Sequence, residues 1–138
     1  MSQQVELFKS TFNSLTSANM ALLDNLYASN VVFADPFHHI AGLPALRAYF
    51  LRQYEGVIRC TFTFEEQVVQ RGTAMLTWTM HLEHARISKG ETIHLPGASH
   101  IRFTDKVTYH RDYFDAGEFL YERLPVVGGL IRAIKGRL

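Results

Sequence analysis

The chain has a single cysteine, Cys60, in 138 residues, which excludes an intrachain disulfide framework and makes a reducing compartment the simpler setting. An excess of charge of one sign is also missing: 14 Lys and Arg stand against 13 Asp and Glu, a formal charge of +1. Without a basic or acidic surplus there is no global field for nucleic acid or for an oppositely charged partner. No stretch approaches the roughly 18 apolar residues that a bilayer span requires, and the opening MSQQVELFKS has neither the basic stretch nor the apolar run of a signal peptide. The expectation is a cytoplasmic protein with no membrane span and no nucleic-acid partner. Repeats, low-complexity tracts and linker-like Pro/Gly/Ser stretches are absent too, so residues 1–138 read as one domain. Gly-rich phosphate loops and G-x-S-x-G elbows are missing, and Gly128-Gly129 lacks the lysine and hydroxyl of a nucleotide loop.

Hydrophobic content of 47% beside 20% charged residues is enough for one core, since a chain of this size can bury roughly 70% of its unfolded surface. Val5, Phe8, Phe12 and Leu15 recur at three- and four-residue spacing, which predicts an amphipathic helix. Ser17 is a candidate N-cap for a second short helix carrying Met20, Leu22, Leu23 and Leu26. VVFAD then reads as a strand stopped by Pro36, and LPALRAYFLRQY after Gly42 as a third helix with Pro44 in its first turn. In the second half the period changes to two. IRCTFTFEEQVV, TAMLTWTMHLEH, GASHIRFT and KVTYHRDYF alternate and are rich in Thr, Val, Phe and Tyr, with turns at Arg71-Gly72 and near Asp105. One face of the second of these segments carries Ala74, Leu76, Trp78, Met80 and Leu82 and is assigned to a core or pocket. Helices first and long strands afterwards predict an α+β arrangement.

Two carboxylates stand out. Asp35 ends an apolar run and precedes proline, where it is either a turn residue bonding local N–H groups or the centre of a site. Asp112 sits two residues after His110; with Phe114 inward, period two carries both to the same interior face, and a one-residue slip turns both outward. That pair is either part of a site or a structural hydrogen bond. Seven histidines invite a metal, but His81 and His84 fall on opposite faces of a strand and adjacent His38 and His39 do not converge, so no metal is expected. Cys60, in a strand-like stretch, reads as a small buried hydrophobe rather than a nucleophile.

Helix, helix, strand ending in Asp-Pro, helix, then long strands ending in YHRDYFD: this order resembles the SnoaL-like branch of the NTF2-like superfamily, which includes polyketide cyclases, ketosteroid isomerases and limonene epoxide hydrolases. The resemblance implies an α+β cone, with a curved antiparallel sheet wrapped around the N-terminal helices and enclosing an apolar pocket. It also implies a homodimer, here through the outer face of the sheet. VVFADPF is similar to the isomerase segment whose carboxylate before proline is the general base, which gives that role to Asp35. Aligning ASHIRF places Ser99 where the isomerase has its second acid, and the first helix offers Phe8, Thr11 and Phe12 but no tyrosine, so the resemblance stops short of a steroid isomerase. In the cyclases the acid/base is an aspartate on a strand of the YHRDYF kind, and Asp112 is the matching position, with His110 as its partner.

The expectation is therefore an acid/base enzyme without a cofactor, acting on a small apolar carbonyl or ring compound by isomerisation, cyclisation, dehydration or hydrolysis. Asp35, Asp112 and His110 are the candidate catalytic groups, and Phe33, His38, Tyr54, Trp78, Met80, Ser99 and Phe114 the candidate ligand contacts. The alternative is a non-catalytic ligand-binding or interaction module on the same scaffold. The tail at about 116–138 sets Leu130, Ile131 and Ile134 beside Arg132, Lys135 and Arg137. Pro125 and Gly128-Gly129 break this stripe, which favours packing on the cone or on a partner subunit over a membrane surface.

Overall fold

The computed structural model describes residues 2–86, 88, 91–115 and 117. Helix α1 (Gln3–Ser14) starts where the Ser2 hydroxyl accepts the Val5 N–H at 3.3 Å, satisfying one of the donors a helix start leaves unpaired. It buries Val5, Phe8 and Phe12, the face that the spacing predicts. The second helix does not begin at Ser17. Asn19 Oδ1 accepts the Thr16 N–H at 2.6 Å and Thr16 Oγ1 accepts the Ala18 N–H at 3.2 Å, so these side chains hold the backbone in a turn. Helical structure resumes only as a 3-10 turn at Met20–Leu22 and a single α turn, α2 (Leu23–Leu26).

Strand β1 (Tyr27–Ala34) is followed by the short β2 (His39–Ala41), then α3 (Leu43–Gln53) and four strands, β3 (Val57–Gln70), β4 (Thr73–His84), β5 (Ile93–Phe103) and β6 (Val107–Phe114). They form one six-stranded sheet in the order β2-β1-β6-β5-β4-β3. Successive strands from β3 to β6 pair antiparallel, as their turns dictate, whereas β1 lies parallel to β6. The sheet is therefore mixed rather than wholly antiparallel, because α3 carries the chain from β2 to the far edge and the following meander returns to β1 running in its direction. Strand β2 has no counterpart among the predicted elements; it exists because Phe33 and Ala34 offer it a ladder, pairing with Ile40 and His39.

Arg71 (φ 44°) and Gly72 (φ 77°) make the tight turn between β3 and β4, both in the left-handed region such a two-residue hairpin requires. A register shift between Phe64 and Gln67 of β3 adds the bend and twist that curve the sheet. Strand β5 begins at Ile93, four residues before GASHIRFT, and so includes Pro96. Proline is tolerated there because β6 ends opposite Gly97, which leaves that side of β5 without a ladder to feed. The cone's core lies between the helices and the sheet, with Phe8, Phe12, Leu23, Leu26, Leu46 and Phe50 packed on Val31, Phe33, Leu76 and Ile101. No described helix is long and apolar enough to cross a membrane. Apart from Gly117, the tail at 116–138 lies outside the described residues.

Candidate active site

Between α1, α3 and the sheet lies a cavity of about 360 Å³, walled by Phe8, Phe12, Phe33, Phe50, Phe62, Trp78 and Met80 among others. That volume suits a small ring compound. Around Asp112 and Asp35 the polar side chains of the wall are bonded to one another. On β6, the alternation that brings Phe114 inward also brings His110 and Asp112 inward, while Tyr113 faces out. His110 is 1% exposed and ringed edge-on by Phe8, Phe12 and Phe33 at centroid distances of 5.0, 5.8 and 4.9 Å. Its Nδ1 lies 2.6 Å from the Tyr27 hydroxyl and its Nε2 lies 2.6 Å from Asp112 Oδ1.

Burial, then the Asp112 charge, then Tyr54 push the ionisation of Tyr27 well above the ordinary phenol range, so Tyr27 keeps its proton. The arrangement that satisfies every atom has the Tyr27 O–H donating to Nδ1 and the Nε2–H donating to Asp112. Asp112 Oδ1 accepts a second hydrogen bond from Ser99 Oγ at 2.6 Å, and Ser99 in turn accepts the Trp78 indole N–H at 2.9 Å. Five residues from β1, β4, β5 and β6 thus form one chain of hydrogen bonds ending on a single carboxylate oxygen. Asp112 Oδ2 accepts none among the described residues. Since no described buried side-chain polar atom lacks a partner and the Asp112 side chain is 21% exposed, Oδ2 opens on the cavity.

Asp35 also lines the cavity, on the turn between β1 and β2, and its bonding differs. Oδ1 accepts the backbone N–H groups of Phe37 and His38, each at 2.8 Å, and Oδ2 accepts the Tyr49 hydroxyl. Burial first, then the hydrogen bond to Asp35, push the ionisation of Tyr49 far above the usual phenol range, so it too remains a donor. Asp35 and Asp112 share the cavity, and both act on Tyr49.

Of the predicted ligand contacts, Phe33, Tyr54, Trp78, Met80, Ser99 and Phe114 line the wall, and His38 does not. Its ring lies outside the wall, with Nδ1 3.6 Å from Asp35 Oδ1, its centroid 4.9 Å from Tyr49, and half its side chain exposed. The reason is the turn: Asp35 captures the His38 N–H, and β2 begins at His39, so the imidazole is carried to the rim. Tyr27 and Tyr49 join the site without having been singled out by their sequence context. A signal exists for Tyr49, which falls on the apolar face of α3 with Leu46 and Phe50 and so carries its hydroxyl inward; for Tyr27, ahead of the VVF run, there is none. Cys60 lines the cavity with its thiol pushed up to about 11 by burial, partly opposed by a hydrogen bond with Tyr54, which leaves little thiolate near neutrality. His81 and His84 lie on opposite faces of β4, with His84 on the cavity wall and His81 Nδ1 2.7 Å from His94 Nδ1 outside it. No three His, Cys, Asp or Glu among the described residues are grouped to hold a metal ion.

Residues 8–110 match the family described as SnoaL-like domain. No curated protein matches the sequence. Among solved structures, a candidate SnoaL-like polyketide cyclase from Shewanella denitrificans superposes with a TM-score of 0.74 at 20% identity over 89% of this chain and 97% of that one. A protein of ketosteroid isomerase-like fold from Catenulispora acidiphila gives 0.75 at 13% identity over 88% and 92%. An LEH-like epoxide hydrolase from M. tuberculosis gives 0.70 at 15% identity over 95% and 94%. At such identities the likeness is one of fold, the α+β cone of NTF2-like proteins.

Proposed function

The chain belongs to the SnoaL-like domain family, and on that footing we propose that it is an acid/base enzyme that needs no cofactor, with Asp112 as the group that takes and returns the proton. The observation that carries this reading is the asymmetry of one carboxylate. Asp112 Oδ1 is held by His110 and Ser99, so the group cannot swing, while Oδ2 faces an apolar cavity with no partner among the described residues. A base positioned in this way is worth about 10²–10⁴-fold in rate. His110, Ser99, Tyr27 and Trp78 act through Asp112 as positioning residues. Asp35, with Oδ1 on two backbone N–H groups and Oδ2 on Tyr49, anchors the turn that shapes the rim, and we assign it no proton transfer.

The same wiring narrows the reaction. The hydroxyl and indole donors around Asp112 and Asp35 are spent: Tyr27 on His110, Ser99 on Asp112, Trp78 on Ser99 and Tyr49 on Asp35. None is left to stabilise a new oxyanion. With these donors engaged, the wall suits a substrate that spreads the charge of its lost proton through its own conjugated system, which favours isomerisation or cyclisation of a conjugated ring carbonyl. Epoxide hydrolysis, which also needs a donor to the leaving oxygen, fits this wall less well.

The test is solvent deuterium incorporation into 2-tetralone, a ring ketone whose enolate is delocalised, followed by proton NMR. The wild-type protein should accelerate exchange over buffer, and Asp112→Asn should lose on the order of 10²-fold or more while keeping its urea midpoint. Equal exchange by the two proteins, or none by the wild type, would overturn the assignment.

A further inference from the structure

The mouth of the cavity carries charge that proton transfer at Asp112 does not use. Arg52, in the last turn of α3, and Arg86, in the turn after β4, are exposed and both line the opening beside Glu55. Neither forms an ion pair or a cation–ring contact among the described residues. Arg52 follows Tyr49, a residue of the cavity wall, by one turn of α3 and itself lines the cavity.

The rim is also braced. His84 Nδ1 accepts the Arg86 N–H at 3.1 Å, and His84 Nε2 lies 3.0 Å from the Glu55 carbonyl oxygen. One buried ring thereby ties the turn carrying Arg86 to the turn that follows Arg52. Nothing larger than glycine fits between them, since a Cβ on Gly56 would stand 2.8 Å from His84 Cε1. With Glu55 counted, this mouth keeps one net positive charge, while the carboxylate beside the reacting position is that of Asp112. Asp112 lies opposite Ser99, which pairs with Leu76, whereas the mouth is level with His84, farther along β4.

We propose that the cavity takes an elongated, conjugated ring compound bearing one carboxylate, with its ring body inward beside Asp112 and its carboxylate held at the mouth by Arg52 and Arg86. The Asp112 carboxylate repels the opposite orientation, so the charge sets direction as well as affinity. The position of the reacting carbon rests on the acid/base reading; the preference for an anion rests on the rim alone.

Isothermal titration of 2-naphthylacetic acid and of the neutral 2-(2-naphthyl)ethanol tests this, with Trp78 emission reporting occupancy because it is the chain's one tryptophan and lines the cavity. The acid should bind roughly tenfold more tightly than the alcohol, as two exposed charges of a few-fold each allow, and less so at high salt. The double variant Arg52→Gln, Arg86→Gln should erase that difference and leave the alcohol's affinity unchanged. Asp112→Asn should keep the preference, so a failed exchange assay with the preference intact sinks only the base assignment. Equal affinities in the wild type, or equal weakening of both ligands in the double variant, would sink the charge proposal, and no response of Trp78 to either compound would sink both.

Discussion

Cys60 and the buried phenols put a pH dependence into the wall of the cavity. The Cys60 thiol is pushed up to about 11 by burial, with the Tyr54 hydrogen bond pulling the other way. A group whose ionisation is raised by folding contributes its stability in full below its unfolded pKa and loses it as pH rises through the folded value. For Cys60 that window runs from about pH 9 to about 11. Tyr27, Tyr49 and Tyr54, all raised chiefly by burial, carry the loss to higher pH. The urea midpoint should therefore be flat between about pH 7 and 8 and fall steeply toward pH 11, and Cys60→Ala should remove up to about 2.5 kcal/mol of that fall. Identical alkaline slopes in the two proteins would contradict this account. The residues of this wall differ in how far the sequence announces them. Asp112 and His110 are visible because alternation along YHRDYF ties them to Phe114, whereas Asp35 keeps two readings until its oxygens are seen on Phe37, His38 and Tyr49.

Strand β5 shows what an element imposes that its own pattern does not reveal. Gly97 pairs with Trp78 on β4 and with Phe114 on β6, and the indole lies across it. A Cβ at this position would stand 2.6 Å from Trp78 Cζ3 and 2.8 Å from the Tyr113 carbonyl oxygen. The glycine thus keeps the indole where its N–H reaches Ser99, and through Ser99 it holds Asp112. Gly97→Ala must displace the ring, with an overpacking cost of about 1–3 kcal/mol. The expected outcome is a lowered urea midpoint together with shifted Trp78 emission, and unchanged emission would show that the strand yields instead. By composition, glycine beside Pro96 marks the start of a strand, since neither residue favours a strand interior. Their tolerance depends on where β6 stops. Strand β2 is illegible for a related reason: three residues carry no readable period, and its ladder to β1 defines it.

The sheet as a whole has one face on the cavity and one outside, and the outer face exposes Ile58, Val68, Met75 and Tyr113. We propose that this face pairs with a second copy of the chain, which would remove that apolar surface from water. Sedimentation velocity should report the mass of two chains, and Val68→Lys should shift it toward one; a wild-type monomer at about 100 µM would end the proposal. The alternation that separates the two faces can be read directly from TAMLTWTMHLEH and KVTYHRDYF, as can the buried stripe of α1 from Val5, Phe8 and Phe12, because spacings of two and 3.6 residues are properties of the local backbone. The α+β order rests on the same periods. The bonding around Asp112 cannot be read in that way. Tyr27 and His110 stand 83 positions apart and meet only because β1 lies parallel to β6, a pairing set by the path of α3 and the meander rather than by either strand's composition. Local spacing selects which face a side chain takes, but which side chains then touch across the cavity depends on strand order and register, and these belong to the folded chain.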